Sequence, residues 1–336
     1  GVIKDELIDL KEEYGTPRRT VIVDEVVKAD KLITAGDLVP DQAVVVCISH
    51  DNQICHWPVD KGLDPARGRQ KDPLAVAIAA NTRDTLYLFQ EHGRVTIIPM
   101  HQIESGTAPG DGANVTEFGR GSASVVAGVA LPGSDETTGY LFLVSRLGRV
   151  KRIALSDVVG IRGTEAVVMG LDKGDKLLTA FLTPGEDEVL LVSNKGQAIR
   201  FSEVDVRPMG LSAVGVMGMK LGPKDFLVGA GLARPRADLM IATQQGFGKR
   251  SDLSQYPKQG RYGQGVIGIS LDKQSGPAIA AAVISASDRV MYLSQKRNNK
   301  TVYGRAISKV GRAQKGKELM AIRGTDKLAK MIVFSG

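Results

Sequence analysis

Along most of the chain apolar and polar residues alternate one by one, the signature of strands with one buried face. A polar pair and a glycine interrupt the alternation at near-regular intervals. The phrase DTLYLFQEHGRVTIIP, turning at Gly93, returns as GYLFLVSRLGRVKRIAL at Gly148, DEVLLVSNKGQAIRF at Gly196 and ADLMIATQQGFGKRSDL at Gly246. Two degenerate copies flank these four: AVVVCISHDNQICHWPV, with Asn52 in the turn, and DRVMYLSQKRNNKTVYG, with Arg297 near it. Successive turns lie 41, 55, 48, 50 and 51 residues apart. Each copy is predicted to be a two-strand hairpin, because a tight turn needs a residue that accepts a positive φ, glycine first and asparagine next.

A glycine-rich loop and more β-forming sequence follow each hairpin, as in residues 213–221 and 225–232. That makes about four strands per repeat, the content of a propeller blade. Six such blades closing on themselves would leave no long exposed sheet edge. The expected fold is therefore all-β, a six-bladed propeller-like domain over residues 36–336. Leu141, Leu143, Leu190, Val192, Met240 and Ala242 are expected to pack between neighbouring blades. Residues 1–35 break the pattern: Ile3, Leu7, Ile8 and Leu10 among charges predict a short amphipathic helix. It should end near Gly15, with Pro17 just beyond, and serve as an incoming connector.

Composition narrows the setting. Of 336 residues 43% are hydrophobic, ample for a buried core, and no apolar run approaches the ~18–20 residues of a membrane helix. The first turn carries Lys4, Asp5 and Glu6 in place of a signal peptide, and an initial glycine reads as a fragment or processed chain. Two cysteines, Cys47 and Cys55, supply no disulfide framework, which suits a reducing cytosol.

The net charge of +7 is unevenly spread: residues 1–40 hold six bases and nine acids, leaving +10 on residues 41–336. Nine Lys or Arg and no acid lie between Arg289 and Lys317. A clustered basic excess points to a polyanion, nucleic acid before anionic membrane, with a merely soluble basic protein as the plain alternative.

Two sets of residues could meet such a partner. The loop QGRYGQG comprises Gln259, Gly260, Arg261, Tyr262, Gly263, Gln264 and Gly265, and remnants of it occur at RPMGLSAVG (residues 207–215), GRAQKG (residues 311–316) and ARGRQKD (residues 66–72). Their glycines would admit close backbone approach, while Gln259 and the bases Arg67, Arg69, Lys71, Arg207, Arg261, Arg312 and Lys315 would hold phosphates. Straps between blades would use the same glycines for turns alone. The second set recurs on the outgoing strand of successive hairpins: Arg149, Lys151, Arg152; Arg200; Lys249, Arg250; and Lys300, with Arg305 following. A closed ring would bring them onto one rim, where duplex DNA gains by counterion release without being read for sequence.

Other patterns fall short. GQGVIG fits a dinucleotide-binding motif by letters but lacks strand–loop–helix context. GFGKRS misses the spacing of a phosphate loop. Cys47, His50, Cys55 and His56 match no familiar zinc spacing. With four histidines in all, no nucleophile–base–carboxylate set can be assembled, and no metal or catalytic residue is assigned.

GRVKRIALSDV, GFGKRSDLSQY and RFSEVDVRPMGLSAVGVMGMKL closely resemble the C-terminal domain of the A subunit of bacterial DNA gyrase, and also its topoisomerase IV counterpart. KEEYGTPRRTVI resembles the segment after the coiled coil of that subunit's catalytic core. The resemblance spans essentially the whole chain. It implies a β-pinwheel, in which blades exchange strands with their neighbours and duplex DNA bends around the outer edge. It further implies a fragment without strand-cleaving activity, with no cofactor of its own. ATP, Mg2+ and the catalytic tyrosine would belong to the rest of the enzyme, as would contacts with a second A subunit and with a B-type subunit. The domain itself would be a cytoplasmic, nucleoid-associated monomer bound to double-stranded DNA.

Gyrase A subunits carry a QRRGGKG-like box in the first blade, needed for positive wrapping. Here that loop reads GLDPARGRQKDP, where Arg67, Gly68, Arg69 and Gln70 match in part and the glycine pair is missing. The better match, QGRYGQG, falls in the fifth blade. Both a gyrase with a diverged box and a topoisomerase IV-like protein of weaker wrapping remain open on the residues, as does a protein-interaction propeller whose basic rim meets an acidic partner.

Overall fold

A computed structural model of the chain describes residues 2–14, 39–59, 72–119, 124–132 and 137–334. The predicted helix is α1 (Val2–Tyr14), on which Ile3, Ile8 and Leu10 are exposed. Contacts divide the chain after Leu38.

From residue 39 onward the described regular elements are strands, apart from one short α-helix and several single 3-10 turns. The first repeat supplies β1 (Ala43–Ser49), β2 (Gln53–Pro58) and β3 (Leu74–Asn81). The second supplies β4 (Thr85–Gln90), β5 (Arg94–Pro99), the two-residue β6 (Ala113–Asn114) and β7 (Val125–Leu131). The third supplies β8 (Tyr140–Ser145), β9 (Arg149–Ala154), a short helix α2 (Leu155–Val159), β10 (Glu165–Val167) and β11 (Leu177–Thr183). The fourth holds β12 (Glu188–Ser193), β13 (Gln197–Ser202), β14 (Val216–Met217) and β15 (Leu227–Leu232). The fifth holds β16 (Asp238–Thr243), β17 (Phe247–Asp252), β18 (Val266–Ile267) and β19 (Ala278–Ile284). The last holds β20 (Arg289–Ser294), β21 (Asn299–Tyr303), β22 (Lys317–Glu318) and β23 (Leu328–Phe334).

Every predicted hairpin forms, pairing β1 with β2, β4 with β5, β8 with β9, β12 with β13, β16 with β17 and β20 with β21. The six turn residues named from sequence, Asn52, Gly93, Gly148, Gly196, Gly246 and Arg297, all have positive φ. Among the described residues, the short strand after each hairpin from the second onward does not pair with its own hairpin. It crosses to the preceding hairpin: β6 pairs with β2, β10 with β5, β14 with β9, β18 with β13 and β22 with β17. This exchange is the pinwheel connection.

The opposite edge of each sheet is an inner strand, and β3, β7, β11, β15, β19 and β23 touch one another in that cyclic order, with β23 returning against β3. At the closure Cys47, Cys55, Trp57 and Leu74 pack with Met291 and Ile332. The seams elsewhere are filled as expected from sequence. Leu141 and Leu143 pack with Tyr87 and Phe89, Leu190 and Val192 with Leu239 and Ile241, and Met240 and Ala242 with Val290 and Tyr292.

Six separate blades are not what the hydrogen bonding gives. Among the described residues there are five sheets: three of four strands, one of eight and one of three. The eight-stranded sheet arises because β15 and β19 approach closely enough for a parallel bridge at Gly229 and Ala281. A Cβ at Gly229 would lie 2.1 Å from the Ala281 carbonyl oxygen, so only glycine allows that approach.

Candidate nucleic-acid interface

The outer edge consists of the exchanged strands and the loops that lead into them, and each loop is set by the strand it crosses. Gly265 shows how. It has φ +76°, and a Cβ there would lie 2.5 Å from the Ala198 carbonyl oxygen on β13. Gly215 sits at the same register over Val150. Upstream of these glycines the backbone is fixed by isolated parallel bridges at equivalent positions: His56 with Ser105, Arg152 with Pro208, Arg200 with Lys258 and Arg250 with Lys309. The loops are therefore rigid extensions of the neighbouring hairpin.

The outgoing-strand bases are used to build this edge, and most are not displayed on it. Lys151 and Lys249 are fully buried. Lys151 Nζ donates to the carbonyls of Val168 and Leu211, and Lys249 Nζ to those of Gly311 and Arg312 and to Ser251 Oγ. Burial pushes both ammonium groups down to about 8, and the Arg312 charge adds to the effect at Lys249. Arg152 is buried against Tyr140, donates to the Gly185 carbonyl and faces Glu203 at 3.6 Å. Arg200 is tied to Glu188 and to the Leu253 carbonyl. Arg250 is tied to Asp238 and the Ile307 carbonyl, and Arg149 to Asp172. The expectation that this set forms an exposed track is corrected: a lysine with no accessible surface cannot meet a phosphate. The reason is register, since these positions face the next repeat's loop and their donors close its unpaired carbonyls.

The remaining sequence candidates do reach the surface. Arg207, Lys300, Arg305 and Lys315 are exposed, Lys300 donating to the Leu319 carbonyl, Arg305 lying over Tyr303 and Lys315 pairing with Asp272. Gln259 and Arg312 are half-buried, and Arg312 donates to the Ile267 carbonyl. Within QGRYGQG, Arg261 reaches the Met217 carbonyl, and the Tyr262 N–H donates to the Gly218 carbonyl. The Gly263 carbonyl accepts from the Lys220 N–H, while Gly260 and Gln264 are exposed. Arg67, Gly68, Arg69, Gln70 and Lys71 lie outside the described residues.

Sequence reading missed Lys220, Lys258, Lys309 and Lys317, all exposed on these loops. Lys309 bridges Asp238 and Asp252, which raises the lysine, while hydrogen bonds from Ser254 and then the Lys309 contact lower Asp252 to about 2. Aligning the loops on their shared glycine would have found Lys258 and Lys309, which occupy one register.

Charge along the edge is graded. The second repeat's loop (101–117) has Glu104, Asp111 and Glu117 and no Lys or Arg. The fourth (207–220) and fifth (258–267) have two bases each and no acid. The sixth (304–318) has Arg305, Lys309, Arg312, Lys315 and Lys317 and one acid, Glu318.

Three consecutive stretches, 139–184, 187–234 and 237–285, match the family of the DNA gyrase C-terminal domain, beta-propeller. Their bounds follow the third, fourth and fifth repeats. Over these repeats the chain is similar to the DNA gyrase A C-terminal domain family. Curated DNA gyrase A subunits from Haloquadratum walsbyi and Mycolicibacterium smegmatis are each 31% identical over 98% of this chain. The chain spans about two fifths of the length of each of these relatives. A crystal structure of the C-terminal domain of DNA topoisomerase IV has the same fold, with TM-score 0.75 at 22% identity over 88% of this chain and 94% of that one. A DNA gyrase A C-terminal domain superposes with TM-score 0.72 at 21% identity, over 88% of this chain and all of that one.

Domains of gyrase and of topoisomerase IV thus share this scaffold. None of the described helices is long and apolar enough to cross a membrane.

Proposed function

We propose that this chain is the part of a gyrase A protein that binds and wraps DNA, with six blade units in a ring that bends the duplex around its outer edge. The graded charge of the exchanged loops carries the reading. Cations on the fourth to sixth repeats project from clamped backbone, with Glu318 the one acid among them, at the edge farthest from the inner strands. The eight-stranded sheet counts as two of the six units, since its halves repeat the same strand order. DNA engages the loops of the fourth, fifth and sixth repeats and leaves the ring toward the acidic loop of the second. Bending it by 40–90° costs of order 1–6 kcal/mol, which phosphate contacts along the edge offset.

In the longer protein this domain would present DNA to a catalytic core that holds the cleaving tyrosine, ATP and Mg2+ and assembles with a B-type subunit in the cytoplasm. The topoisomerase IV-like alternative shares the edge and differs in wrapping.

Two measurements test the reading. Duplex binding by the 336-residue chain should weaken steeply with salt. Replacing Arg207, Lys258, Lys315 and Lys317 with alanine should lower the slope of log K against log salt by about 0.9 for each phosphate no longer neutralised. An unchanged slope rejects the edge as the DNA track. On relaxed circles, constrained positive writhe identifies gyrase-type wrapping, and its absence favours the topoisomerase IV-like alternative.

A further inference from the structure

One residue on the outer edge is built in a way that phosphate binding does not explain. Tyr262 has φ +67°, the left-handed region, and is 49% exposed. A bulky side chain there costs of order 1 kcal/mol or more, and such strain persists only where the surroundings impose it. They do so here: Arg261 is anchored on the Met217 carbonyl, the Tyr262 N–H on Gly218 and the Gly263 carbonyl on the Lys220 N–H. The fifth repeat's loop is thereby clamped to the end of β14. The equivalent residues are Ser212 in the fourth repeat and Ala313 in the sixth, so the scaffold does not require an aromatic. Among the described residues the ring has no stacking or cation–π contact. Lys220, Lys258 and Gln264, all exposed, belong to the same clamped edge.

We infer that Tyr262 enters the minor groove of duplex DNA where it crosses the fifth repeat and acts as a fixed wedge that localises the bend. The inference rests on the DNA-wrapping reading above. An aromatic ring carried on clamped backbone at a basic edge suits this role, because apolar wedges at base steps kink the duplex toward the major groove. Lysines beside it would hold the flanking phosphates, so the ring adds position where the cations add affinity.

The test compares the full chain with Tyr262→Gly and Tyr262→Asn, both of which suit a left-handed backbone and remove only the ring. Each is to be melted first, and neither should be less stable than the parent. Affinity, salt slope and end-to-end energy transfer are then read on a labelled duplex of about 30 base pairs. Expected is an affinity loss of about 5- to 10-fold, comparable to the removal of one aromatic contact, with the salt slope unchanged and the bend reduced. Variants that bind and bend as the parent does overturn the wedge and leave the wrapping reading intact. A reduced salt slope overturns it too, because the loss would then be of phosphate contacts. A parent that does not bind DNA overturns the wrapping reading itself.

Discussion

The buried ion pair between the third and fourth repeats gives a stability prediction that can be worked from distances. Glu203 follows β13 and has no accessible surface. Its carboxylate accepts from Thr183 Oγ1 at 2.5 Å, from Gly185 N at 3.0 Å and from Asp187 N at 2.9 Å, and faces Arg152 Nη1 at 3.6 Å. Arg152, on β9, is almost as deeply buried, with its guanidinium 4.3 Å from the centre of the Tyr140 ring. Glu203→Leu removes the acceptor and strands a guanidinium, a hydroxyl and two backbone N–H groups. Breaking a buried pair from one side costs about 3–5 kcal/mol, and each stranded N–H adds up to about 1–3 kcal/mol where water does not replace the carboxylate. A loss of about 4 kcal/mol is expected. Arg152→Met should cost about 3 kcal/mol, since the backbone donors still hold the carboxylate. The double variant should lose little more than Glu203→Leu alone, because no charge is then stranded, giving a coupling of about 2–3 kcal/mol. Urea unfolding followed by circular dichroism and Trp57 fluorescence measures all three, with unchanged m-values showing that the same surface unfolds. A loss below about 1 kcal/mol for Glu203→Leu, or strict additivity, refutes the seam as an interlocked network.

Three further outcomes follow from single positions. Lys151 and Lys249 are held near 8, below the ordinary 10.5 of an unfolded lysine, so between those values the unfolded chain binds more protons and stability rises with pH. Each buried lysine contributes up to about 3 kcal/mol to that rise, and urea midpoints at pH 7.5 and 10 should therefore differ less in Lys249→Met than in the parent. Gly265→Ala should cost about 2–4 kcal/mol, from positive φ and the clash with the Ala198 carbonyl. Gly260→Ala, where a Cβ meets nothing within 4 Å, should change the urea midpoint little. Cys47 and Cys55 are buried thiols, both raised by burial and Cys55 to about 11, so a thiol-specific disulfide reagent should modify neither until urea unfolds the ring closure.

Much of the architecture is legible in the residues because it is local. A hairpin is specified by alternation and by what its turn accepts, so the degenerate turns at Asn52 and Arg297 were placed as securely as the glycine turns. Their positive φ values bear this out. The inward faces of Leu141, Leu190 and Met240 followed from the same period of two.

Tertiary structure decided what spacing cannot express. Which sheet a two-residue strand joins depends on contact with a hairpin some fifty residues earlier, as β18 on β13 shows. The number of separate sheets turned on one close approach at Gly229. Above all, Lys151 and Lys249 look in sequence like surface charges on a repeating strand. In three dimensions they face the next repeat's carbonyls and lose their solvent. A strand's alternation says which residues share a face, but only the neighbour that covers the face determines whether a cation on it stays in solvent or holds the adjoining loop.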